Sequence, residues 1–434
     1  MKKLLLSTLV LGASTVALAC PTGTTKLGTV WNGKQVCQLQ GRYVNDVVLT
    51  NNYSYFLKGG VFIGNDNKMN STLTIEPGTQ IAGSSGADFL VVTRGSRILA
   101  EGTESQPIVF TTQAEQPKRG SWGGLVINGN APINCKKAAG GYCEAEGEGS
   151  TGLYGGTDAK DSSGVLKYVR VEWAGYEITP ENELNGIAFQ GVGNGTIVDY
   201  IQVHMNADDG VEFFGGTVNV KHVLLTGNKD DSLDWTSGWQ GKAQYVMIKQ
   251  AADEGNYGIE ADNLSSPMNA EPRSNPMIAN ATLIGSETAK KGGAGVLLRR
   301  GTGVKLYNSV ITGFKQGGID VDDAETFRNG HEYTEGLPGI HILNTILDNK
   351  VNFIVDANEE DLAAWILSGM DLDILFGSES PRVEKVSMNK NVVVSNMTAV
   401  LPLEKAGEEF FEETNYVGAV DPAGKDWTTG WSIQ

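Results

Sequence analysis

Basic residues, histidine, proline and cysteine are all scarce in this chain of 434 residues, and each scarcity removes a class of function. Lys and Arg number 34 against 51 Asp and Glu, a formal net charge of −17. A chain so short of cations is ill suited to displace the counterions around a nucleic acid, which leaves cations, sugars or proteins as partners. The 4 cysteines include no CxxC pair, which argues against zinc. No GxSxG elbow and no GxxxxGK[ST] phosphate loop occurs, and His331-Glu332 lacks the second histidine of a metalloprotease helix. Only 13 residues are Pro, and the 56 Gly show no three-residue period, so the chain is not collagen-like. At 40% hydrophobic it has the apolar content for a core and is not a disordered tail.

Residues 1–19 read as a bacterial secretory signal: Lys2 and Lys3, an apolar run, then Ala17-Leu18-Ala19 before Cys20. Nothing later supplies a run of about 18 apolar residues, so no transmembrane helix is expected. Cleavage after Ala19 makes the mature chain more acidic still, at −19. Cys20 has two readings. It can close a local disulfide with Cys37, as Cys135 can with Cys143, which suits an oxidising compartment. Alternatively it is lipidated, although Ala17 stands where such sites usually carry Leu.

Short β-branched runs recur at a step near 22 residues. One series starts at Gly186, Gly210, Ser232, Gly258, Gly295 and Gly318; a second, interleaved, starts at Tyr168, Tyr200, His222, Tyr245, Ala281 and Ser309. Two phase-locked strand series describe a coil that adds one strand to each of several parallel sheets per turn, a right-handed parallel β-helix of the all-β class. A propeller needs about four strands per 40-residue blade and fits the step poorly. Alternation places Ile187, Phe189, Val211, Phe213, Leu233 and Trp235 inside. The expected organisation is a signal at 1–19, an N-terminal cap at 20–60, the β-helix at 61–404 with an inserted loop at 131–163, and a C-terminal cap at 405–434. One short helix is expected in the C-terminal half, from Asn358 through Leu367.

The most specific chemical feature is a set of paired acids: Asp208-Asp209, Asp230-Asp231 and Asp253-Glu254, spaced by 22 and 23 residues. Each is followed by a further acid, Glu212, Asp234 and Glu260. Stacked coils lie about 4.8 Å apart, where like charges repel by roughly 3 kcal/mol at an effective dielectric of ~20. Oxygen ligands at turns favour Ca²⁺, so Asp208, Asp209, Glu212, Asp230, Asp231 and Asp234 are the candidate metal ligands. The same aspartates can serve simply as corner formers. Lys290-Lys291 and Arg299-Arg300 lie a coil further on; if the protein were a lyase, Arg299 or Arg300 would be the base beside a metal-neutralised uronate. Otherwise no catalytic set is evident. His204 and His222 do not face the same way, and Trp235, Trp239, Phe213 and Phe214 read as stacking within the coil before they read as a sugar platform.

The phrases Leu73-Thr-Ile-Glu-Pro-Gly-Thr, Arg119-Gly-Ser-Trp-Gly-Gly-Leu, Gly164-Val-Leu-Lys-Tyr-Val-Arg-Val-Glu, Asp208-Asp-Gly-Val-Glu-Phe-Phe-Gly-Gly-Thr-Val and Asp230-Asp-Ser-Leu-Asp-Trp resemble a family of bacterial cell-surface proteins that includes a leptospiral outer-membrane lipoprotein. The resemblance runs from about residue 70 to Tyr416-Val-Gly-Ala and Trp427-Thr-Thr-Gly-Trp. It implies a pectate-lyase-like β-helix and a surface or periplasmic location, and it carries no family-wide activity. The expectation is an exported, cation-stabilised structural or binding protein: a component of a surface coat, S-layer or biofilm matrix, self-assembling or binding glycans. The alternatives are a lyase or glycoside hydrolase acting on acidic polysaccharide, and an outer-membrane lipoprotein accessory to nutrient uptake.

Overall fold

The computed structural model describes residues 19–135, 141–179, 182–331, 333–334, 337–354, 382–402, 404 and 409–434. The expected signal and the helix expected from Asn358 lie outside the described residues. The chain winds as a right-handed parallel β-helix, each strand pairing with its equivalent one turn later. One sheet is built from Phe89–Val92, Leu125–Asn128, Ile187–Gln190, Val211–Phe214, Leu233–Thr236, Ile259–Asp262, Ala294–Arg299 and Gly317–Val321. Its register is Ile187–Val211–Leu233–Ile259–Val296–Ile319, the first sequence series stacked residue for residue.

Longer strands, Gly164–Glu172, Ile197–His204, Asn219–Thr226, Lys242–Lys249 and Met277–Ile284, bend in the middle and so belong to two further sheets. The bend falls on Tyr168, Tyr200, His222, Tyr245 and Asn280, all left-handed, with φ between 49° and 62°. β-Branched and bulky residues avoid this region, and a short amide tolerates it best. Here ring stacking offsets the strain: centroids are 4.4 Å apart for Tyr168–Tyr200, 4.0 Å for Tyr200–His222 and 4.7 Å for His222–Tyr245. Where aromatics end, Asn280, Asn308 and Asn344 take over the bend. The second series was therefore one residue late at Ala281 and Ser309, because the bend residue there changes type from aromatic to amide.

Inside the coil, Ile187, Phe189, Val211, Phe213, Leu233 and Trp235 are buried as expected. Phe189 stacks on Phe213 at 5.4 Å, and Phe213 on Trp239 at 3.9 Å, so these rings are core and not a sugar platform. At the N-terminal end Thr25–Trp31 runs antiparallel to Lys34–Tyr43, and Cys20 is bonded to Cys37. A helix at Ala324–His331, not anticipated from the sequence, is capped by Asp323, whose Oδ1 accepts the Thr326 amide at 2.8 Å.

The segment 409–434 lies along the flank of the coil, over the bend ladder. Side-chain amides two turns apart bond its backbone: Gln244 both donates to and accepts from the main chain of Glu412, and Gln202 does the same with Ile433. Trp431 is buried edge-on against Tyr168 and Tyr200, and its carbonyl accepts from Arg170 at 2.8 Å. Replacing such a ring by Ala costs about 3–5 kcal/mol. Trp431→Ala is accordingly expected to free this segment before the coil melts, read as new limited-proteolysis cuts after residue 420 in an otherwise protease-resistant protein.

Candidate functional site

In the first sheet one outward-facing column reads Val91, Val126, Ala188, Glu212, Asp234, Glu260, Leu297, Asp320 in register. Its apolar start is covered by the inserted excursion. Ile133, Cys143 and Tyr154 pack with Leu184 on Val91, Val126 and Ala188. The excursion is closed by the Cys135–Cys143 disulfide and held by Arg94, which bonds Asp66, Glu144 and the Gly155 carbonyl. Where the column turns acidic, Glu212 and Asp234 remain only 9% and 8% exposed.

A second column forms the preceding corner: Asn185, Asp209, Asp231, Tyr257, each two residues before its strand. The Asp209 Oδ1 accepts the Asp231 amide at 2.9 Å, and the Asp231 Oδ1 accepts the Tyr257 amide at 2.6 Å. Corner formation is thus real, and it aims the remaining oxygens at the neighbouring column. Carboxylate oxygens of Asp209, Glu212 and Asp234 lie within 4.8 Å of one another, as do those of Asp231, Asp234 and Glu260. Glu212 accepts a hydrogen bond from Asn185, whereas the buried Oδ1 of Asp234 has no hydrogen-bond partner.

Of the six candidate ligands, Asp209, Glu212, Asp231 and Asp234 converge, and Glu260 joins them. Asp208 and Asp230 stand beside this group and in neither triad. Asp230 is instead paired with Lys291 at 2.6 Å. The third acid pair does not stack. Four extra residues bulge from that turn, so Asn256 and Tyr257 occupy the register positions, Asp253 pairs with Arg119 at 2.9 Å, and Glu254 lies 3.6 Å from Lys290.

Burial and mutual repulsion push the carboxyls of Asp209, Glu212, Asp231 and Asp234 well above the usual range. Asp208 is raised to about 8 by burial and then by Asp230, Glu183 and Glu148. Glu148, on the excursion, is raised to about 7 by burial and by Glu183. These two glutamates reach the site through chain excursions, and no local spacing pointed to them.

The cationic side is already engaged. Arg299 bonds Asp262 at 2.8 Å and also Glu260, and Arg300 bonds Asp262 at 2.7 Å. Burial alone would lower the Arg299 pKa, but Asp262 and Glu260 outweigh it and raise it, the opposite of what a proton-abstracting base needs. The histidines lie elsewhere. His222 sits in the bend ladder and bonds Asp199 at 2.8 Å; His204 bonds Thr226 at 2.8 Å and is pushed down to about 4 by burial and then by Arg119 and Arg170. His341 lies 3.3 Å from the Tyr307 hydroxyl.

The arrangement is an oxygen-only cluster of carboxylates, set between coil corners and a sheet face, with Asp234 common to both triads. No curated protein and no solved structure gives a match to this chain. The family model described as a pectate-lyase like beta helix domain matches residues 41–364, about three quarters of the length. The chain belongs to the pectate-lyase-like β-helix family.

Proposed function

We propose that this protein is an exported, calcium-stabilised β-helix of the bacterial cell surface, serving as a structural or glycan-binding element of the surface coat. The observation that carries the reading is Asp234: a carboxylate 8% exposed, with one oxygen unpartnered, ringed by Asp209, Glu212, Asp231 and Glu260. A buried carboxylate without a donor is costly, and a divalent cation supplies the missing partner. Hard oxygen donors on corner segments suit Ca²⁺. Two disulfides, and the lack among the described residues of a helix long and apolar enough to cross a membrane, fit an exported protein. The strong acidity of the chain, with a pI of about 4.8, supports bridging of neighbouring molecules by calcium. The engagement of Arg299 with Glu260 and Asp262 supports binding over lyase chemistry.

Calcium is expected to raise the melting temperature of the chelator-treated protein, with stabilisation of about 2.7 kcal/mol at 100 times the dissociation constant. Asp234→Asn should abolish that response while the cation-free variant melts no lower than the cation-free wild type, because it removes a repelled charge. An equal calcium response in wild type and variant would count against the site.

In chelator, acids with raised pKa values lose their contribution to the fold across the pH range in which the folded state still holds protons that the unfolded chain has lost. For Glu148 that contribution is whole below about 4.5 and is lost as pH rises through about 7. Asp208 acts in the same sense up to about 8. The melting temperature without cations should therefore fall between about pH 4.5 and 8, and calcium should flatten the profile; a cation-free optimum at pH 8 would contradict the electrostatics.

A further inference from the structure

Resting on the calcium reading above, the geometry points to two cations, not one. We propose that the acidic ladder holds a pair of divalent ions that share the Asp234 carboxylate, one between Asp209, Glu212 and Asp234, the other between Asp231, Asp234 and Glu260. Both triads bring their oxygens within 4.8 Å, and Asp234 is the member common to them. Its side chain sits in the middle coil, in register with Glu212 on one side and Glu260 on the other. Coils are about 4.8 Å apart, and carboxylate-bridged metal pairs are held about 3.5–4 Å apart, so one carboxylate spans the two positions without a change in the backbone.

Charge decides the number. When ionised, Asp209, Glu212, Asp231, Asp234 and Glu260 carry five negative charges between them. Among the described residues the one protein cation bonded to this set is Arg299, at Glu260; Lys291 is taken by Asp230, and Arg300 by Asp262. A single divalent ion with Arg299 leaves two buried negative charges unbalanced. Two divalent ions with Arg299 balance all five. Net charge left in a low-dielectric site is the costliest arrangement open to it, so the pair is favoured over the single ion.

The two positions are not equivalent. The one at Asp209, Glu212 and Asp234 has Asn185 orienting Glu212 and no competing cation among the described residues bonded to it. The position at Glu260 shares that carboxylate with the Arg299 guanidinium. The first ion therefore binds tightly and the second more weakly. Arg299→Gln should tighten the second step and leave the first in place.

Calcium titration of the full chain by calorimetry, with bound ions counted by native mass spectrometry, tests this. The expected result is two calcium ions per chain in two unequal steps, one ion in Glu260→Gln and one in Glu212→Gln, and both steps weakened by at least about 100-fold in Asp234→Asn. A folded Glu260→Gln protein that keeps two overturns the assignment of the second ion to Asp231, Asp234 and Glu260, whereas a wild type that takes up a single ion overturns the pair and leaves the single-ion reading standing. A wild type that takes up none overturns both. The wild-type count decides even if a variant fails to fold.

Discussion

The constraint on which the rest depends is parallel, in-register stacking. Each turn of the coil lays its residues on the equivalent residues of the turn before, about 4.8 Å away, so every side-chain choice is made against a copy of its own position. Apolar positions gain from this, as the Phe189, Phe213 and Trp239 stack shows. Bend positions gain too, through the Tyr168, Tyr200, His222 and Tyr245 ladder, which steadies backbone angles that bulky residues otherwise avoid. Acidic positions lose, because the same geometry sets like charges side by side. Chains that keep such a column have to neutralise it.

This chain neutralises its acids unevenly. Toward the C-terminal end, Lys291, Arg299 and Arg300 pair with Asp230, Glu260 and Asp262. None of those ion pairs involves Asp209, Glu212, Asp231 or Asp234 themselves, and the inserted excursion brings a further acid, Glu148, toward the group. The fold thus concentrates carboxylates at a single buried point, the feature on which the proposed cation site rests. Phe213, Trp235 and Trp239 are in the core, and Arg299 and Arg300 are tied to carboxylates.

Much of this was legible in spacing. The first strand series is in register at every position read from the sequence, because Gly or Ser opens each of those strands and the period is kept by the strand itself. The second series slips by one at Ala281 and Ser309, since the bend residue changes chemistry there and its left-handed backbone, not its side-chain type, is the invariant. The pair Asp253-Glu254 misled for a related reason. Counting from pair to pair gives a coil step, but the extra residues lie between the pair and its strand, so the acids are carried outward to Arg119 and Lys290. Glu148 and Glu183 were not legible at all: excursions place them by tertiary packing over Val126 and Ala188, which no local period encodes. The path of the C-terminal segment was hidden likewise, since its partners Gln202 and Gln244 lie far away in sequence and bond its backbone, leaving little trace in its side chains.

The central claim is that Asp234 exists to hold a cation. The direct measurement is anomalous X-ray diffraction from crystals of the full chain grown in calcium and soaked with a lanthanide. The account predicts a strong anomalous peak within coordination distance of Asp234, between it and Asp209 and Glu212. An ordered water or a protein donor against that carboxylate, with no anomalous peak, would contradict it.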